Sequence, residues 1–390
     1  MHQNFFEESG LSKFERFHSQ MFCWLINNSS IDKAVKIKII NKLFNHNINM
    51  QCKYIECIPE YTIASNKRVD LLLNVDEISF VIENKLRSSQ YDNQLAVYKK
   101  ELDKKISESN KTDNKQDKYF FYYLTLIDEK AEADGWNNIT YENFLNTLEE
   151  YKKEIILSFD KCECTNSKII YLEYVNSIKH LVETINDFKK SFVNYPSIFK
   201  NDYPCDDKYP KEDFAISQNL ETILQKQFYH IVASKMSNNN YIIKETHGFA
   251  LLEFDISEIF YEYNKLYYKI GIQIQSDCIK LFFRPSDIDK YKSSSIDDIH
   301  HTTITLFRKF AANIRKKGIE ADEKKLLSIS RFNKKSKAFI SISFKRNKSI
   351  ISLETYDNAI KCFQEEYNIV EAYAKDLINE MLKSPNYSTS

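Results

Sequence analysis

Two acidic residues and a lysine stand in apolar surroundings, where charge is costly. Asp70 lies within Arg68-Val69-Asp70-Leu71-Leu72-Leu73, and Glu83 and Lys85 lie within Phe80-Val81-Ile82-Glu83-Asn84-Lys85, thirteen residues later. If both runs are strands of one hairpin, Glu83 and Lys85 share a face and Asp70 can meet them from the neighbouring strand. Two converging carboxylates make a hard-oxygen site suited to Mg²⁺ or Mn²⁺, such ions being held by one or two carboxylates together with water and substrate phosphate oxygens. The main-chain carbonyl of Asn84 can add another oxygen. A lysine beside such an ion can orient or deprotonate an attacking water, while the ion lowers that water's pKa and offsets charge growing on a scissile phosphate.

The Glu-x-Lys spacing alone discriminates little, because Glu150-Tyr151-Lys152 and Glu323-Lys324-Lys325 share it. Neither of those follows an apolar strand. Only Glu83 has an apolar run before it and an acidic residue one hairpin upstream. For the bare triplet, cross-strand ion pairing on a wetted sheet face is the better reading; the surroundings tip the balance. Gln94 and Tyr98 are four apart in Asn93-Gln94-Leu95-Ala96-Val97-Tyr98, so on a helix both lean over one sheet edge, towards Lys85 or a bound ligand.

Apolar positions dictate the elements that hold these residues. Phe14, Phe17, Met21 and Leu25 recur at helical spacing, and a second helical pattern runs from Ile31 to Phe44. Tyr54 to Ala64, Arg68 to Val75 and Ile78 to Asn84 read as three strands of a meander. A helix follows, with Tyr91, Leu95, Tyr98, Leu102 and Ile106 on one face, then a strand from Lys118 to Leu126 and helices near 140–157 and 166–192. Ser12-Lys13-Phe14-Glu15 fits a capping box, in which Glu15 returns to the Ser12 N–H. His18 reads as a packing or hydrogen-bonding residue beside the first helix, and Glu60 as a solvated strand edge.

The order helix, three strands, helix, strand, carrying Asp, apolar-Glu-Asn-Lys and Gln-x-x-x-Tyr, resembles the PD-(D/E)XK nuclease superfamily. The Gln-x-x-x-Tyr element is similar to its RecB-like branch, and Glu-Asn-Lys with Phe14-Glu15-Arg16-Phe17-His18-Ser19 resembles a bacterial group within it. The resemblance covers roughly residues 10 to 130 and implies an α/β restriction-endonuclease-like core. It implies Asp70, Glu83 and the Asn84 carbonyl as metal ligands, Lys85 as the catalytic lysine, and Gln94 and Tyr98 as residues at the substrate. Glu15 would be a helix-borne acid assisting the metal, unless it is the capping partner. The implied activity is Mg²⁺- or Mn²⁺-dependent hydrolysis of nucleic acid, DNA first, in bacterial defence, with a second copy or another defence protein as partner. Val69 stands where the superfamily's name has proline.

Composition closes off other chemistries. The 5 Gly are too scattered for a dinucleotide fingerprint, a phosphate-binding P-loop or a nucleophile elbow, and no H-E-x-x-H occurs among the 8 His. No pair of the 8 Cys has C-x-x-C spacing, so a structural zinc is not expected, and the thiols read as reduced in a cytoplasmic chain. Glu7 and Glu8 stand where an export signal would be basic, and no run of eighteen apolar residues suggests a membrane span.

At 390 residues, two domains are expected: 1–195, a Pro-bearing linker over 196–211, and an α+β domain over 212–390. In the latter the pattern predicts a helix from Glu212 to Lys235, a β-meander through Tyr241–Lys244, Ala250–Ile256, Leu266–Ile274 and Lys280–Phe283, and a helix from Asp297 to Lys317 stopped by Gly318. Short β-like runs at Ala338–Phe344 and Ile350–Leu353 and a long final helix complete it. Net charge is zero, yet residues 301–350 hold 14 Lys and Arg against 3 Asp and Glu. Arg308, Arg315, Lys316, Lys317, Arg331, Lys334, Lys335, Lys337, Lys345, Arg346 and Lys348 are therefore candidates to track a phosphate backbone, the alternative being a solvated lysine-rich face. A nucleic-acid-binding module without activity, or a domain sensing a ligand or partner, are the rival functions.

Overall fold

The computed structural model describes residues 4–64, 67–87, 93–109, 118–199, 210–237, 240–246, 249–262, 265–275, 278–286, 301–319, 327–336 and 339–389. The side chains of 105–109, 210–211, 246, 301–302, 315–319, 327–336 and 389 also lie outside the description. The chain divides into two units, one of 1–190 with 206–223 and the other of 191–205 with 224–390. The chain crosses between them at 190/191, 205/206 and 223/224, the middle crossing lying within the Pro-bearing stretch proposed from sequence. Pro196–Phe199 is a 3-10 turn that buries Ile198 in the second unit, while residues 210–223 belong to the first.

The first unit begins with α1 (Phe5–Glu8), α2 (Glu15–Asn27) and α3 (Lys33–Phe44), followed by β1 (Ile55–Ala64), β2 (Lys67–Val75) and β3 (Ile78–Lys85). Then come α4 (Gln94–Ser109), β4 (Lys118–Thr125), β5 (Trp136–Thr140), α5 (Tyr141–Glu150), α6 (Lys152–Lys161), α7 (Thr165–Lys190) and α8 (Pro210–Ser217). The sheet runs β1-β2-β3-β4-β5; its first three strands are antiparallel, and β3, β4 and β5 are parallel. Val75 pairs with Ile78, leaving the two-residue turn Asp76-Glu77, with Asp76 at φ +50° as such hairpins require. A parallel neighbour needs a crossover, which α4 provides between β3 and β4.

β3 is the central strand and is buried from Ser79 to its end. On one face Val81, Phe121 and Tyr123 pack with Leu95 and Leu102 of α4. On the other, Phe44 of α3 meets Phe80 and Tyr122 with ring centroids 4.8 and 4.7 Å apart. Glu83 and Lys85 share the parity of Val81 and so lie on the α4 side. Asn84 lies on the opposite side.

α9 (Glu221–Ser234) leads into the second unit, which holds β6 (Tyr241–Thr246), β7 (Phe249–Tyr261), β8 (Leu266–Gln275), β9 (Cys278–Pro285), α10 (His301–Ile319), β10 (Leu327–Ser336), β11 (Phe339–Arg346), α11 (Tyr356–Leu382) and β12 (Tyr387–Thr389). Its antiparallel sheet has the order β10-β11-β9-β8-β7-β12, with β6 also on β7. Alternation gives it one apolar face, where Phe283 meets Phe307 of α10 and Phe254 meets Tyr367 of α11. The other face is charged: Glu253, only 1% exposed, pairs with Lys244 and Arg284 and accepts from Gln273.

Several sequence expectations change here. The helix expected over 212–235 is two, because Leu220 is buried at a bend where Asn219 takes φ +54°. The helix expected to stop at Gly318 passes through it to Ile319. Ile350–Leu353 is not a strand, since residues 351–353 form a 3-10 turn. Arg346, expected to meet phosphate, has no exposed side-chain surface. It is paired with Glu366 at 2.8 Å and lies over the Phe363 ring at 4.0 Å.

Breaking a buried pair strands a charge, whereas replacing both partners by apolar groups does not. Arg346→Met is expected to cost about 3–5 kcal/mol, and the double variant R346M/E366L is expected to regain most of it. Urea denaturation midpoints check both.

Candidate active site

The β2–β3 ladder ends at Leu71 opposite Ile82, and Asp70 and Glu83 are the next residues along each strand. There the Asn84 N–H donates to Asp70 Oδ2 at 2.7 Å, which pins the carboxylate beside the end of β3. Glu83 is 2% exposed. Its Oε1 pairs with Lys85 Nζ at 2.8 Å and accepts from Gln94 Nε2 at 2.9 Å, while its buried Oε2 has no hydrogen-bond partner. Gln94 also donates to the Tyr98 hydroxyl at 2.7 Å, and Tyr98 packs on the core beneath α4. The four-residue spacing therefore works as expected, but Gln94 reaches Glu83 rather than Lys85.

On the other side of β3, the Asn84 amide is clamped from three directions. It donates to the Glu15 carbonyl at 3.0 Å and the Ser19 hydroxyl at 3.1 Å, and accepts from the Tyr141 hydroxyl at 2.8 Å. Glu15 Oε1 accepts the amides of Leu86 and Arg87, both at 3.0 Å. The capping-box reading of Glu15 does not hold: α2 has Phe14 as its N-cap, the Ser12 N–H goes to the Phe6 carbonyl, and the Ser12 hydroxyl goes to Gln218. Glu15 instead fixes the chain leaving β3. Ser19 and Tyr141 had escaped the sequence reading. Ser19 lies one turn after Glu15, a usable signal, whereas nothing near Tyr141 in the sequence links it to Asn84.

His18 and Glu60 are structural. Burial holds the His18 imidazole down at about 4, so it is neutral, and it bonds the Ser12 carbonyl through Nε2 at 2.7 Å. Glu60 pairs with Arg68 at 3.6 Å.

The electrostatics of the cluster follow from burial. Asp70 is pushed up to about 8, by desolvation first and by the Glu83 carboxylate second, against the pull of the Asn84 amide and Lys85. Glu83 is also raised, by burial, with Lys85 opposing. For Lys85 burial disfavours the charge, but Glu83, Asp70 and Glu15 outweigh it and hold the ammonium above the ordinary lysine value. A divalent cation fits this arrangement: a buried and a half-buried carboxylate repel each other, and Glu83 Oε2 has no hydrogen-bond partner. Among the described residues no three His, Cys, Asp or Glu side chains form a metal cluster. Such an ion would rely on two carboxylates, a main-chain oxygen and solvent or substrate oxygens, as Mg²⁺ commonly does.

The sequence model of the PD-(D/E)XK nuclease superfamily matches residues 3–185. This stretch of the chain belongs to that superfamily. No curated protein and no solved structure matches the chain. The superfamily match takes in the whole PD-(D/E)XK sheet and continues through most of α7, well past the residues that suggested it.

Outside the PD-(D/E)XK unit, the basic segment is spread over several elements. Arg308 of α10, Lys345 of β11 and Lys348 are exposed. Arg315, Lys316 and Lys317 lie on α10, and Arg331, Lys334 and Lys335 on β10, with side chains outside the description; Lys337 lies outside the described residues. Among the described residues no helix is long and apolar enough to cross a membrane.

Without a cation, the raised Asp70 pKa means that the folded state holds a proton the unfolded chain has lost. Its contribution to stability therefore falls as pH rises from 3.8 towards about 8. Asp70→Asn, which resembles the protonated form and can still accept from Asn84, is expected to flatten that fall in EDTA. It is also expected to remove the rise in Tm that Mn²⁺ gives the parent protein. Thermal melts across pH, with EDTA or Mn²⁺, check both.

Proposed function

We propose that the chain is a metal-dependent nuclease that hydrolyses phosphodiester bonds with water as nucleophile and forms no covalent intermediate with the protein. The observation that carries this reading is the buried, partnerless Glu83 Oε2 beside Asp70 at the end of β3. Asp70, Glu83 and the Asn84 carbonyl would hold Mg²⁺ or Mn²⁺. When bound there, such an ion would supply Lewis-acid charge for the scissile phosphate and the attacking water.

The protein's own groups do the rest. Lys85, paired with Glu83 at 2.8 Å, would hold a phosphate oxygen and orient or deprotonate the attacking water. Gln94 holds Glu83 in one rotamer, and Glu15 with the Asn84 clamp fixes the main chain on either side of Lys85. DNA as substrate, a cytoplasmic setting and a role in defence against foreign DNA rest on the company such domains keep. The exposed cations of the basic segment would contact phosphate without reading bases.

Labelled single- and double-stranded DNA and RNA, incubated with the full chain in Mg²⁺, Mn²⁺ or EDTA, test the reading. Cleavage that needs the metal is expected. Lys85→Ala should lose about 10²–10⁴-fold in turnover while titrating Mn²⁺ like the parent. Binding without cleavage under every condition would overturn the proposal in favour of a non-catalytic binding module. If the basic segment tracks phosphates, reversing Lys334, Lys335 and Lys337 to Glu should flatten the dependence of DNA affinity on salt, by about 0.9 in logarithmic slope for each phosphate that is no longer neutralised.

A further inference from the structure

Phe14 occupies an uneconomical position. It is the N-cap of α2, where Ser, Thr, Asp or Asn would accept a backbone N–H, and it makes no side-chain cap bond. The residue is 48% exposed. Two cations flank it: Lys13 Nζ lies 5.6 Å and the Arg87 guanidinium 6.0 Å from the ring centroid. Lys13 lies folded over Gly10, whose φ of +69° and missing side chain leave room for it.

The ring is also next to the chemistry. Phe14 directly precedes Glu15, whose carboxylate holds the Leu86 and Arg87 amides immediately after Lys85. Arg87 therefore connects the aromatic ring to the end of β3, and its buried Nε has no hydrogen-bond partner.

From this juxtaposition we infer that Phe14 is a stacking platform for an unpaired base of single-stranded nucleic acid, with Lys13 and Arg87 on the adjoining phosphates. The inference rests on the nuclease reading and adds a substrate class to it. An exposed aromatic face beside cations is the general device for holding single strands, because every base offers a π-face. In an intact duplex those faces are covered by neighbouring bases. The platform therefore selects single strands or frayed ends.

Opposite effects on stability and binding separate this role from packing. The probes are fluorescein-labelled oligo-dT, oligo-rU and a blunt duplex of equal length, followed by anisotropy with the full chain in EDTA. Phe14→Leu keeps apolar bulk but lacks a π-face. It should weaken single-strand binding about five- to 150-fold, corresponding to about 1–3 kcal/mol per stacked base. Phe14→Trp should bind at least as well as the parent. Phe14→Ser should lose binding as Leu does while its Tm is held or raised by the new cap. Duplex affinity should hardly change in any of them. Single-strand binding by Phe14→Leu equal to the parent's, with cleavage intact in the parent, would overturn the platform alone. A parent protein that neither binds nor cleaves any probe would overturn the nuclease reading, and the platform with it. The ratio of dT to rU affinity tells DNA from RNA as the source of the unpaired base.

Discussion

Two carboxylates that repel each other meet where β2 and β3 part, Asp70 half-buried on one strand and Glu83 buried on the other, and the contacts around them hold them there. Left alone in low dielectric, such a pair neutralises itself by taking up protons, which is the direction in which both groups are displaced. Their positions are nevertheless fixed by the Asn84 amide on Asp70 and by Lys85 and Gln94 on Glu83. The hairpin brings the two acids together, and the crossover helix brings Gln94 to Glu83. The helices on the far face hold Asn84, so that β3 cannot twist the pair out of line.

Much of this was legible in the sequence, for a physical reason. A charged residue ending an apolar strand is rare enough that its type and spacing carry information, and hairpin pairing is local, so Asp70, Glu83 and Lys85 could be matched from order alone. Gln94 and Tyr98 followed from helical spacing. The contacts of Glu15 and Tyr141 with the end of β3 are long-range, and short-range patterns do not encode them; a local pattern at Ser12 even pointed to a different partner for Glu15. β5 was missed because Trp136-Asn137-Asn138-Ile139-Thr140 is an edge strand with two polar residues at its centre, and β10 because its charges mask alternation.

The second unit shows the limits of counting charge. Arg346 adds to the basic total of its segment and yet lies inside, neutralised by Glu366 from a helix outside that segment. Glu253 similarly disappears into a network with Lys244 and Arg284. Alternation in β7, β8, β9 and β11 correctly separates two faces, but only geometry tells which charges on them meet solvent.

The spread of the Asn84 hydrogen bonds along the chain has a consequence for synthesis. The hairpin bearing both carboxylates closes through a two-residue turn, whereas the bonds from Asn84 to Glu15 and Tyr141 span 69 and 57 residues. Short loops close before long ones. A nascent chain emerging from the ribosome therefore presents both acids well before Tyr141 has been made, on a hairpin that is at best marginally stable by itself. Assembly of a rigid site is thus deferred until the α5 segment arrives, which leaves an incomplete polypeptide with the charges of the site but without its geometry.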